Sequence, residues 1–209
     1  MKLPSCSTRI RVGVLAAAGL MLAGCASTVV DASWRDAQLA PGTLRGAKVL
    51  VMCETQEQVL KRICQDQVGA DLQARGVSVV FPPDALQVPI AQAEIDPQVL
   101  KAARDAGTKA VFLVTVSAAS RAVSQGMAIS IGGFGFGGGG GGAGVGVTAP
   151  IGGGQVSTGY SASGRVTDAG TGRLLWTARA TTPPSTDVNA QMVELSKAVT
   201  GEAQKAGLF

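Results

Sequence analysis

The residues with chemistry to offer are four cysteines, fourteen carboxylates and one glycine-rich run; histidine is absent. Without histidine, a serine or cysteine nucleophile lacks its usual base, and histidine metal ligation is excluded. Gly133-Phe134-Gly135-Phe136-Gly137-Gly138 matches GxGxxG. That fingerprint binds a dinucleotide only where a helix opens directly after it and receives the pyrophosphate on its N-terminus. Here more glycine follows, through Ala143-Gly144-Val145-Gly146. No Gly-Lys-Ser or Gly-Lys-Thr occurs, and Gly159-Tyr160-Ser161-Ala162-Ser163 ends in serine where a nucleophile elbow needs glycine. The carboxylate pairs Asp66 with Asp71 and Glu54 with Glu57 stand where solvated helix faces carry charge. These patterns predict no catalytic residue, no metal site and no cofactor, and therefore a protein that is not an enzyme.

One cysteine stands in a context of its own. Lys2, Arg9 and Arg11 precede the uncharged stretch Val12–Ala23, a run with the length of a secretory signal core and too short to span a bilayer. The stretch ends in Leu22-Ala23-Gly24-Cys25, which resembles the bacterial lipobox. The resemblance implies cleavage between Gly24 and Cys25 and acylation of Cys25, with residues 1–24 removed as a lipoprotein signal peptide. Several acyl chains anchor stably where one is marginal. With Ala26 rather than Asp after the cysteine, the resemblance further implies the periplasmic face of the outer membrane. Removing residues 1–24 takes away three of the 18 Lys+Arg and none of the 14 Asp+Glu, leaving 15 against 14. The net charge of +4 thus belongs mostly to the signal. With no basic run in the rest and aromatics at 4%, nucleic acid is excluded as a partner.

Cys6 leaves with the signal and Cys25 carries lipid, so Cys53 and Cys64 remain. In an oxidising periplasm an even pair invites a disulfide; two buried free thiols are the alternative. Two cysteines alone are too few for a structural zinc site.

Residues 25–46 lack periodicity and are expected to be a lipidated tether with some docked residues, Trp34 among them. Lys48–Cys53 is a short apolar strand. Thr55 and Gln58 have capping-box spacing, and the helix after them carries Leu60, Cys64, Val68 and Leu72 at four-residue steps before Gly76. Val77–Phe81 is a second strand, which makes a βαβ unit with parallel strands. Asp96-Pro97 opens a short helix that ends at Gly107, and Lys109–Ser117 is the third strand. Residues 132–154 hold fourteen glycines in twenty-three positions, from which no packed core can be built. Alternation returns at Tyr160, Ala162, Gly164 and Val166. After the turn Asp168–Gly172 it continues at Leu174, Trp176, Ala178 and Ala180, giving an antiparallel hairpin. A last helix spans about Asp187–Ala206. The fold class is therefore α/β, or α+β, in one domain over 47–209. Its mixed sheet has five or six strands, parallel in a βαβαβ half and antiparallel in a hairpin half. About three helices lie mostly on one face, and 132–154 is an insert.

In this order of elements the chain resembles small outer-membrane lipoproteins common in proteobacteria, with a glycine-rich insert between the βαβαβ half and the hairpin. The fold is also similar to the N-terminal domain of the translocation protein TolB and to lipoprotein activators of penicillin-binding proteins. The resemblance implies a non-enzymatic, lipid-anchored accessory or docking protein of the cell envelope, whose partners are the membrane and an envelope protein. Phe134 and Phe136 are the large apolar side chains of the insert and the expected partner contacts. The competing expectation is a structural lipoprotein that self-assembles, or enters a membrane, through the glycine-rich segment.

Overall fold

The six apolar residues of the run Ala110–Val116 are all buried, on both faces of their strand, and only Thr115 among the seven is not, as a central strand requires. The computed structural model describes residues 27–83, 97–124 and 155–209. In it this run belongs to β4 (Ala110–Ser124) of a six-stranded sheet that also contains β1 (Val29–Arg35), β2 (Lys48–Glu54), β3 (Ser78–Val80), β5 (Gln155–Asp168) and β6 (Leu174–Thr181). The strand order is β1-β6-β5-β4-β2-β3. β4 pairs parallel with β2 on one side and antiparallel with β5 on the other. The sheet is thus a parallel half and an antiparallel half joined along one strand, within a single mixed α/β domain.

Three helices, α1 (Gln58–Ala74), α2 (Pro97–Asp105) and α3 (Val188–Lys205), divide between the two faces. Successive side chains of a strand point to opposite faces, and the core sorts accordingly. Val49, Val51 and Cys53 of β2 join Cys64, Val68 and Leu72 of α1 and Met192, Leu195 and Val199 of α3. Leu50 and Met52 join Val99 and Ala103 of α2. The crossovers through α1 and α2 therefore lie on opposite faces, and the face covered by α2 is left open over the antiparallel half.

Of the expected tether 25–46, the described residues 27–46 are part of the domain. Val29–Arg35 is an edge strand paired antiparallel with β6, and Leu39 and Leu44 are buried in the main core. The backbone N–H groups of Gly42 and Leu44 donate to Gly207 O and Leu208 O at 2.7 and 2.8 Å. The strand is hidden in the sequence because its register shifts between Val30 and Ala32, which breaks the period-2 pattern. Trp34 is not docked but 49% exposed. The boundaries 1–24 and 132–154, with Gly24, Cys25, Phe134 and Phe136, lie outside the described residues.

Other local readings shift as well. The first helix takes Glu57 rather than Thr55 as its N-cap, with no side-chain cap bond. Glu54 is not on a helix face but buried at the end of β2. Asp71 accepts from Ser196 Oγ at 2.6 Å and so bridges α1 to α3. Asp168 does hold its turn: Thr171 N and Thr171 Oγ1 donate to its Oδ1 at 2.7 and 2.8 Å, and Gly172 follows at φ +72°.

Two close approaches shape the antiparallel half. A Cβ on Gly164 of β5 would collide with Val199 Cγ1 of α3 and come within 3.2 Å of the Trp176 ring. The missing side chain is what lets helix and indole meet over β5. Trp176 is fully buried and packs at 5.9 Å between ring centroids on Phe112 of β4. In the parallel half, Cys53 and Cys64 are joined, Cα to Cα 6.0 Å and eleven residues apart, tying the end of β2 to the second turn of α1.

Three outcomes follow from this packing. Gly164→Ala should destabilise by about 1–3 kcal/mol through overpacking, seen as a lower urea midpoint with an unchanged slope. The double variant Cys53→Ala/Cys64→Ala should lose about 3 kcal/mol on a chain-entropy account of an eleven-residue loop, measurable by the same titration against the wild type. For Asp168, burial pushes the carboxyl up, but the Thr171 hydrogen bonds, the Gly170 backbone and Arg173 together hold it below the ordinary value. A lowered acid contributes stability above the ordinary carboxylate range and loses it as pH falls through its folded value. Asp168→Asn should therefore melt below the wild type at neutral pH, by about 1 kcal/mol for an exposed capping-type carboxylate, and the two melting curves should converge in acid.

Candidate functional site

Strand β2 stops before β4 does. The last parallel rung joins Glu54 to Thr115, after which residues 55–57 turn into α1, while β4 runs on to Ser124. From Val116 onward, no strand lies along the outer edge of β4 among the described residues. Where β2 stops, a cleft of about 350 Å³ opens between the entrance of α1 and the face of the β4–β5 pair. Gln56, Glu57 and Leu60 of the α1 entrance form one wall, Val116, Ser117, Ala118 and Arg121 of β4 the other, and Thr158 and Tyr160 of β5 complete it.

The cleft presents main-chain groups above an apolar floor. An unpaired strand edge offers backbone donors and acceptors in a row. The first N–H groups of α1 also open here, since Glu57 does not cap them with its side chain. Ser117, Ala118 and Arg121 are exposed, whereas Val116 and Leu60 are buried and form an apolar floor. The α1 wall is held to β2 by the Cys53–Cys64 bond and by Lys61 Nζ–Glu54 Oε1 at 3.2 Å. Burial pushes the Glu54 carboxyl above its ordinary value, and Lys61 offsets this only in part.

Past Ser117 the β4–β5 pair leaves the sheet as a two-stranded ribbon whose ladder persists to Ser124 opposite Gln155. Its base is braced on the β5 side. Thr158 and Ser185 exchange backbone bonds at 3.2 Å, Thr182 N donates to Tyr160 O at 2.8 Å, and Gln191 Nε2 donates to Thr158 O and Pro183 O at 2.8 Å. Gly159 is required there, because a Cβ would stand 2.5 Å from Ser120 Oγ and 2.7 Å from Thr182 O. Beside this brace a second cavity of about 270 Å³ lies between Ser27 and Thr28 at the start of the described chain and Pro183, Ala190 and Gln191.

Of the residues singled out by sequence, the structure brings Cys53 and Cys64 together and sets them behind the wall of the cleft. The cleft residues themselves were not legible. The apolar strand signal fades at Ser117, and only the weak small-residue alternation Ala118, Ser120, Ala122 marks its continuation.

No protein-family model and no curated protein matches the chain. Among solved structures it is similar to the PelC dodecamer from Paraburkholderia phytofirmans, at 14% identity, covering 86% of this chain and 96% of that one with a TM-score of 0.47. It is also similar to lipoprotein GNA1162 from Neisseria meningitidis, at 18% identity, covering 76% of this chain and 99% of that one with a TM-score of 0.42.

Proposed function

We propose that the protein is a non-enzymatic, lipid-anchored accessory module of the cell envelope that docks an extended segment of a partner protein beside β4. The observation that carries this reading is the outer edge of β4 from Val116 onward, unpaired among the described residues and bordered by a cleft with an apolar floor. Strand addition to a free edge supplies main-chain hydrogen bonds for affinity and leaves side-chain pockets to set specificity. The rigid entrance of α1 limits how such a segment can approach. Lipidation at Cys25, in the Leu22–Cys25 motif, would hold the module on the periplasmic face of the outer membrane, with the charge-balanced domain in the periplasm.

A second reading, assembly through the glycine-rich segment, is favoured by one observation: both ends of residues 125–154 are held side by side by the Ser124–Gln155 rung. A photo-crosslinking amino acid at Ser117, in the full-length lipidated protein in intact cells, separates the two. Docking at β4 predicts a defined heterologous adduct from Ser117, absent from the same probe at Arg179 on the open face, and insensitive to removal of residues 132–154. Adducts only between copies of this chain, lost with that deletion, would replace docking by self-assembly. No adduct from Ser117 would refute the cleft as the contact.

A further inference from the structure

β1 begins at the pole from which the β4–β5 ribbon projects. β1 starts at Val29, which pairs with Thr181, which in turn pairs with Ser161 of β5. Ser161 is opposite Ser117 of β4. That row marks the level at which the chain enters the sheet. Above it, Ser27 and Thr28 share a cavity with Thr182, Pro183 and Ser185, on the side where β4 and β5 project. Four peptide steps from Val29 to Cys25 reach about 14 Å at full extension. The ribbon continues from Ser161 to Gln155, six residues and about 20 Å. Its described end therefore stands farther out than the anchor can reach.

Exposed large apolar side chains are concentrated at this pole. Of the five large hydrophobic side chains left exposed among the described residues, three are here: Val29 at 55%, Val59 on the first turn of α1 at 68%, and Val156 on the ribbon at 56%. Arg121, exposed and opposite Thr158, is two rungs behind Val156, where a cation meets the phosphate layer once Val156 is at acyl depth.

We propose that the short link to Cys25 holds the end of the β4–β5 ribbon in contact with the anchoring lipid leaflet. The inference rests on the acylation of Cys25 argued above. The occupant of this pole is then a lipid surface. The cleft beside β4, which begins at the level of Val116, opens immediately above that surface and admits partners presented there.

The test uses full-length lipidated protein in vesicles of phosphatidylethanolamine and phosphatidylglycerol, some brominated near the top of the acyl chains. Mass spectrometry first establishes acylation of Cys25; an unmodified cysteine would remove the anchor reading and this inference with it. With the lipid in place, Val156→Trp should lose emission in the brominated vesicles relative to unbrominated ones, beyond the change from Trp34 and Trp176 in the wild type. Arg45→Trp, at the opposite end of the sheet, should not. Equal behaviour of the two variants on vesicle-bound protein would overturn the ribbon contact while leaving the anchor intact. Inserting about ten glycine and serine residues between Ser27 and Thr28 adds roughly 30 Å of reach. Loss of the Val156→Trp quenching, with vesicle flotation retained, is the expected result; retained quenching would overturn the role assigned to the short link.

Discussion

The backbone ladder along β4 is the constraint on which the rest depends. Among the described residues, β4 is the one strand with a parallel neighbour, β2, and an antiparallel one, β5. A parallel neighbour needs a crossover helix, so one edge of β4 brings in α1 and α2. An antiparallel neighbour needs only a turn, so the other edge can be long and run past the domain. The buried run Ala110–Val114 on both faces follows from helices on both sides at this one strand.

The two edges also have unequal lengths, and the candidate site is a product of that inequality. β2 ends at Glu54, where the chain turns into α1, and the Cys53–Cys64 bond keeps the turn from unwinding along β4. β5 continues. The result is an open slot on one side of β4 and a projecting ribbon on the other. Edge strands are normally blunted by charge, proline or cover. Here Arg121 and the serines supply some of that blunting, and the α1 entrance supplies cover without closing the slot.

Much of the fold was readable because burial imposes periodicity. The stripe Leu60, Cys64, Val68, Leu72 is buried in full, and Tyr160, Ala162, Gly164 and Val166 do share the core face of β5. The turn at Asp168 was readable because its chemistry is local, a carboxylate bonding two to three residues on. β1 was not, because its bulge at Asp31 removes the alternation by which a strand announces itself. The burial of Leu39, Leu44, Leu208 and Phe209 was equally hidden, since those residues meet across the length of the chain.

Short-range physics settled in the amino-acid sequence the helices and every strand but β1, the hairpin turn, the absence of histidine chemistry, and the motif at Leu22–Cys25. Tertiary structure alone decided which strand edges stay unpaired among the described residues, that Cys53 meets Cys64, and that the start of β1 and the ribbon share a pole. Those depend on strand order and register, which arise from contacts between residues far apart in sequence and leave no periodic mark on any one segment. The cleft beside β4 is a difference in length between two neighbouring strands, and no residue within it carries that information.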